Sequence, residues 1–380
     1  MHDSAHALPR SAVPKTQEDA FYWLKLIRSA RVGPITFLRL LRQFGTAKDA
    51  VEALPDIANG AGVSKYETVG TPAIRQEIRA GNALGARLLF LGTKDYPTQL
   101  LDLPDPPIAL WCLGNLELLK RPMIALVGAR NASATGQRMS GQLARDLGEM
   151  GYVVISGLAR GIDKAAHEKS LATGTIAVQA GGLDTIYPKE NADLTLKIAE
   201  QGLRLSEMPM GLSPRARHFP KRNRIISGLS SAVIVVEGAT RSGSLITARN
   251  ALDQGREVMA IPGSPLDPRA SGCNQLIRDG ALLVRGADDI HDFLQAHPQH
   301  SNPQNETPEQ HRQQDIPLSP HQTNLPSSIL DLLSISPISE DDLIRKLDAP
   351  TLQIMGILAE LDVEGEIHRQ PGGLIAKTNA

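Results

Sequence analysis

The stretch His218-Phe-Pro-Lys-Arg-Asn-Arg-Ile-Ile-Ser-Gly-Leu-Ser230 concentrates positive charge and then turns apolar just before a strand-like run. Between Glu207 and Glu237 no acidic residue occurs, whereas Arg215, Arg217, Lys221, Arg222 and Arg224 all do, with His218 beside them. Uncompensated cations at a sheet edge suit a polyanion, because each neutralises a phosphate and releases a counterion. A solvated charged face is the alternative reading, and the surroundings decide between them. Those surroundings are glycine turns. Gly128-Ala-Arg130 follows an apolar run and leads to Ser133 and Gly136; Ser156-Gly-Leu-Ala-Arg-Gly-Ile-Asp163 follows a second, placing Gly157 and Arg160 in a turn. Ala180-Gly-Gly-Leu-Asp184 with Tyr187-Pro188 follows a third, and Glu237-Gly238 leads into Ser242-Gly-Ser-Leu-Ile-Thr247. Glycine permits close backbone approach, arginine offers a phosphate fork, and N–H groups at a helix start favour an anion. Several such turns on one edge make a phosphate-lined rim.

Other chemistries fit less well. Gly128-Ala-Arg130 is not a G-x-G-x-x-G, since Arg130 replaces the glycine that lets pyrophosphate approach, and no Walker lysine motif occurs. Asp163, His167, Asp184 and Glu237 are the candidate acids and bases. Asp163 and His167 stand at i and i+4 and can face each other, although such a pair more often stabilises its helix. Glu237 suits either a sugar hydroxyl or a neighbouring arginine. That leaves a mononucleotide enzyme or a binder of a phosphodiester chain.

The elements that must position these turns are legible. Apolar runs at 124–128, 152–156, 175–179, 203–206, 231–236, 257–261 and 281–284 alternate with helical segments, the pattern of a parallel sheet with right-handed crossovers. Near-continuous apolarity means that helices cover both faces. Residues 123–295 therefore read as a doubly wound, extended Rossmann-like α/β domain, with 86–123 as a Pro-rich connector packed onto it to give a unit over 86–295. Ahead of it, 1–19 reads as a loose tail and 20–85 as a small all-helical domain, with helices at 21–27, 35–44, 47–54, 57–62 and 72–84. The Arg31-Val-Gly-Pro34 turn resembles a helix-hairpin-helix, but a Gly-Pro turn is common in any bundle, and simple packing is the preferred reading. Residues 296–326 are too polar to offset ordering entropy and read as a linker. Segments 328–333, 339–347 and 350–360 followed by a hairpin around Gly372-Gly373 suggest a winged-helix domain over 327–380. It has few cations, so docking or regulation is preferred to groove reading. Within the basic stretch, Ile225, Ile226 and Leu229 would bury one helix face, leaving Lys221, Arg222 and Arg224 near its exposed start.

Composition narrows the classes further. The 380 residues are 41% hydrophobic with a net charge of −1, so any nucleic-acid contact must come from a local patch. Cys112 and Cys273 lack zinc or disulfide spacing, which fits a reducing cytoplasm. No apolar run is long enough to span a membrane, and the polar start has no signal-peptide core.

Together, Gly128-Ala-Arg130, Ser156 through His167, Tyr187-Pro188, Phe219 through Ser230, Ser242 through Ala248 and Gly272 through Ala281 resemble the DNA-processing protein A (Smf) family. Asp95-Tyr-Pro97 and 106–114 resemble the segment preceding its core. The flanking domains fit a sterile-alpha-motif-like N-terminal and a winged-helix C-terminal domain. The resemblance implies a non-catalytic, cofactor-free protein that binds single-stranded DNA, displaces single-strand-binding protein and loads the RecA recombinase as a homodimer during natural transformation. By that analogy Gly128, Arg130, Lys221, Arg222, Asn223 and Arg224 contact phosphate, and Ser156, Gly157, Arg160, Ser242 and Gly243 complete the rim. Ala129 removes a hydroxyl usual in the family, leaving a backbone contact, and Cys273 stands where Thr is common. Aromatic residues make up 3% of the chain, so base stacking is expected to be minor, with Phe219 the aromatic beside the basic run. The alternatives are a Rossmann-type hydrolase of nucleoside monophosphates, whose Pro-Gly-Gly-x-Gly-Thr signature is missing although Ala180-Gly-Gly182 echoes it, and a docking scaffold.

Overall fold

The computed structural model describes residues 13–63 and 65–297, then 325–333 and isolated stretches between 338 and 377. Its centre is a sheet of nine strands: β1 (Arg87–Phe90), β2 (Ala109–Gly114), β3 (Met123–Gly128), β4 (Val153–Ser156), β5 (Thr175–Val178), β6 (Leu203–Ser206), β7 (Ala232–Glu237), β8 (Glu257–Ala260) and β9 (Leu282–Leu283). The spatial order is β1-β2-β6-β5-β4-β3-β7-β8-β9. From β6 to β9 every pairing is parallel, as the alternation of strands and helices predicts. The connector does more than pack against this sheet: β1 and β2 extend it, with β2 antiparallel to both of its neighbours, β1 and β6. The parallel reading therefore needs correcting at that edge.

The pleat explains why the strands read as unbroken apolar runs. Met123, Ala125 and Val127 of β3 join a core that continues into the N-terminal helices, whereas Ile124 and Leu126 join another with Leu143, Leu147, Ile290 and Leu294. Alternate side chains thus meet two different helical layers. Those layers come from α1 (Gln17–Arg28), α2 (Pro34–Phe44), α3 (Ala47–Gly60), α4 (Thr71–Ala83), α5 (Ala134–Glu149), α6 (Ile162–Ser170), α7 (Ala192–Gln201), α8 (His218–Leu229), α9 (Gly243–Asp253), α10 (Ser271–Arg278) and α11 (Ala287–Ala296). The helices expected at 47–54 and 57–62 are one helix, α3, with Pro55 inside it. Proline removes one backbone donor and crowds the preceding turn, but burial of Ala50, Val51 and Leu54 holds the helix together. Among the described residues no helix is long and apolar enough to cross a membrane.

Helices α1 and α4 meet the sheet through a buried polar knot. Glu77, only 7% exposed, accepts from Arg28 Nε and Nη2 and from the Trp111 indole N–H at 2.8 Å. Arg28 also donates to the Glu207 carbonyl at 3.0 Å. Truncating Glu77 to Ala strands a guanidinium and an indole N–H, so urea denaturation should register a loss of about 3 kcal/mol.

A separate unit lies beyond residue 307. It contains α12 (Leu325–Leu332), β10 (Ile338–Ser339), β11 (Ile367–Gln370) and β12 (Leu374–Lys377), in the order β10-β12-β11, around Ile329, Leu333, Leu343, Ile354, Leu358 and Ile375. The expected hairpin is the antiparallel β11–β12 pair. Most of the expected tail (1–12), most of the linker (298–324), Gly372-Gly373 and most of the helix at 350–360 lie outside the described residues.

Candidate nucleic-acid interface

In an open α/β sheet a ligand crevice opens where strand order reverses, beyond the carboxyl ends of the strands. Here the reversal falls between β3 and β7, which places Gly128 against Glu237. A Cβ at Gly128 would meet Ile162 Cγ1 at 2.5 Å and the Glu237 carbonyl at 2.7 Å. Its glycine is thus required by packing between β7 and α6, and approach of a ligand is not what fixes it. The Ala129 N–H donates to the Glu237 carbonyl at 2.7 Å, so the backbone contact expected there is already taken. Glu237 itself is committed: its carboxylate accepts from the Ser133 N–H at 3.0 Å and from the Ser133 hydroxyl, which in turn caps α5 by accepting from the Gly136 N–H.

The second glycine turn is braced from within. Asp163 accepts from the N–H groups of Gly157 and Ala159 at 3.2 and 3.3 Å, His167 Nε2 accepts from the Leu158 N–H, and Asn191 donates to the carbonyls of Leu158 and Ala159. This bracing stabilises Leu158 at φ 57°, a left-handed conformation unusual for leucine. It also turns the N–H groups of 157–159 inward, which overturns the expectation that this turn offers them to phosphate. Asp163 and His167 are both buried and are spent on different partners, Asp163 on the Gly157 and Ala159 N–H groups and His167 on the Leu158 N–H and Thr175 hydroxyl. Burial, helped by the Arg222 charge, pushes the His167 pKa down to about 3, so the ring is neutral and free to accept. Burial raises the Asp163 pKa, with Arg222 the main opposing influence. Ser156 is fully buried and donates to the Leu126 carbonyl at 2.6 Å, away from the rim.

Helix α8 divides its cations between roles, and here the reading of an exposed basic start fails for two of them. Arg222 is 5% exposed; its Nη1 donates to the Val178 carbonyl at 2.7 Å, and its guanidinium occupies the space a Gly157 side chain would need. Burial pushes its pKa down to about 10, opposed by Asp163, so it stays charged at neutral pH. Arg224 is compensated by acids supplied from outside the acid-free segment. Its Nη2 reaches both Glu207 oxygens at 2.7 Å and its Nε reaches Asp105 at 3.0 Å. It lines neither crevice at the strand ends. Lys221 is exposed and shares the Arg224 side of the helix.

What faces the crevice is Phe219. Arg130, exposed, stacks its guanidinium 4.6 Å from the centre of the Phe219 ring, and the Tyr187 ring is tilted against Phe219 with centroids 5.8 Å apart. This stack separates two cavities of about 490 and 340 Å³. The larger is lined by Gly157, Arg160, Gly181, Tyr187 and Lys189, and the smaller by Gly128, Arg222, Asn223, Ser242 and Gly243; Arg130 and Phe219 line both. Asn223 donates weakly to the Gly243 carbonyl at 3.4 Å, and the Ser242 hydroxyl caps α9 by accepting from the Ser244 N–H. Gly243 is open, with space where a side chain would stand. Arg160 pairs with Glu190 at 3.6 Å, an exposed pair of little energetic weight. The sequence reading missed Lys189, and it passed over Tyr187 as a stacking group by averaging aromatic content over the chain. The signal was local: Tyr187-Pro188 follows a glycine turn at a strand end.

Comparison with known proteins matches the family model described as DNA recombination-mediator protein A over residues 87–295. A DprA-like N-terminal HHH domain matches 17–80, and a DprA winged helix domain matches 313–373. The chain is 45% identical over 226 residues to the DNA processing protein DprA of Bacillus subtilis, covering 59% of this chain and 76% of that protein. It is 41% identical over 290 residues to protein Smf of Escherichia coli, covering 74% of each. Among solved structures, DNA processing protein A from Streptococcus pneumoniae superposes with a TM-score of 0.61 at 36% identity, covering 73% of this chain and 98% of that one. A structure reported for the single-stranded DNA binding mode of the Helicobacter pylori protein gives 0.51 at 31% identity, covering 57% and 98%.

Proposed function

The chain belongs to the DNA recombination-mediator protein A family, and on that premise we propose that it binds single-stranded DNA without sequence preference, protects the strand and mediates the loading of RecA onto it in the cytoplasm. The observation that carries the reading is the stack of Arg130 on Phe219 beside Tyr187 at the strand-order reversal. A cation without a carboxylate partner among the described residues lies over one aromatic face next to a second ring, an arrangement suited to a phosphodiester and to bases already unstacked. A duplex keeps its bases paired and cannot use those rings. Phosphates meet side chains here, chiefly Arg130, Arg160 and Lys189, because the backbone donors of the 157–159 turn are spent internally. Asp163, His167 and Glu237 are occupied in bracing loops, which favours binding over catalysis. Displacement of single-strand-binding protein and action as a homodimer belong to the same proposal and follow from the family alone.

Titration of labelled oligothymidine, duplex DNA and a mononucleotide tests this reading. Single strands should bind best. With about four phosphates neutralised, the slope of log affinity against log salt should lie near −3. A mononucleotide that equals the oligomer, or a slope near zero, would overturn it.

A further inference from the structure

At the start of α8, His218 is 6% exposed and has hydrogen-bond donors on both sides of its ring. The Arg215 backbone N–H donates to Nδ1 at 3.1 Å, and Arg217 Nε approaches Nε2 at 3.4 Å. A neutral imidazole has one acceptor nitrogen and one N–H. Burial first, then Arg217, Lys221 and Arg215, holds its pKa below the ordinary histidine value, so the neutral ring prevails at pH 7. The shorter, backbone bond takes the acceptor, because an unpaired amide N–H there is costly. Nε2 therefore carries the proton and points it at another donor. With Nδ1 as the acceptor, Nε2–H faces a second donor, Arg217 Nε, and an anion between them would give both an acceptor.

We propose that His218 Nε2–H and the Arg217 guanidinium, with Arg215 and Lys221 alongside, form a second phosphodiester site, distinct from the Arg130–Phe219 stack. Arg215, Arg217 and Lys221 are exposed, and the described ion pairs take Arg160 and Arg224 while leaving these three without a carboxylate. One phosphate oxygen accepting from Nε2–H and another from Arg217 would satisfy both donors at once. Phe219 follows His218 directly, so a strand whose base meets that ring passes a neighbouring phosphate over the site. The inference rests on the single-strand reading.

The test uses the full chain with 15N-labelled histidine. Long-range imidazole spectra should show His218 protonated at Nε2 in the free protein, and oligothymidine should shift that nitrogen. The signal is assigned by its loss in His218→Gln. Arg217→Gln should weaken oligothymidine binding about 5-fold and make the salt slope shallower by about 0.7. His218→Phe should match it, whereas His218→Gln, which keeps a donor and an acceptor, should stay within about 2-fold. If His218→Phe does not fold, the spectra and Arg217→Gln decide. Wild-type binding with an unmoved His218 signal and an unchanged Arg217→Gln affinity overturns the second site alone. Absence of wild-type binding overturns the single-strand reading itself. A shift with inorganic phosphate but none with oligothymidine overturns the assignment to a DNA strand.

Discussion

Replacing Arg130 with Glu should lower oligothymidine affinity by more than about 100-fold at 0.1 M salt, equivalent to about 2.8 kcal/mol. A charge-assisted phosphate contact contributes about 1.5–3 kcal/mol, and the reversed charge adds repulsion against the same backbone. The Phe219 ring also loses the cation that covers it. Arg130 is exposed and, among the described residues, takes part in no ion pair that its loss would orphan, so the folded state should be nearly unaffected, within about 0.5 kcal/mol for a surface change. Fluorescence anisotropy and urea denaturation on the same preparation give both values. A folded variant that keeps affinity within 3-fold (about 0.65 kcal/mol) would remove Arg130 from the interface.

Arg224 should behave in the opposite way. Truncation to Ala leaves Glu207, its side chain only 14% exposed, without its bidentate partner. The expected cost is about 3 kcal/mol in urea denaturation, the penalty for an unpaired buried charge. Because Arg224 lines neither crevice, the protein that remains folded should bind oligothymidine within about 2-fold of wild type, a change of about 0.4 kcal/mol. A collapse of affinity with unchanged stability would return Arg224 to the phosphate track. Both arginines read from the sequence as phosphate contacts, and the pair of measurements separates them.

That contrast marks what was legible from the sequence. The sheet was, because strands buried on both faces must be apolar along their whole length, as Ile124 through Val127 are. Glycine turns at the strand ends were legible for the same local reason. The partners of each cation were not: an acid-free segment from 208 to 236 suggested uncompensated charge, but Glu207 at its border and Asp105 in the connector come back to Arg224 through the fold. Nor was the direction of the 157–159 N–H groups visible, since the acceptors Asp163 and His167 became informative only once α6 was packed under the turn. Hydrophobic pattern is periodic and local, whereas charge compensation is pairwise and long-range.

The N-terminal helices share a single core with one sheet face: Trp23 packs edge-on to Phe37 at 4.9 Å and to Phe90 of β1 at 5.8 Å. A boundary drawn on the sequence near residue 86 is therefore not a thermodynamic seam. Pulling the helices away would expose Phe90 and Trp111 to water, so residues 17–83 and the sheet should share one cooperative melting transition with a single heat-capacity increment. Amides on the two sides of that boundary would then exchange with solvent through the same global opening, which makes the helical segment a structural flank of the sheet.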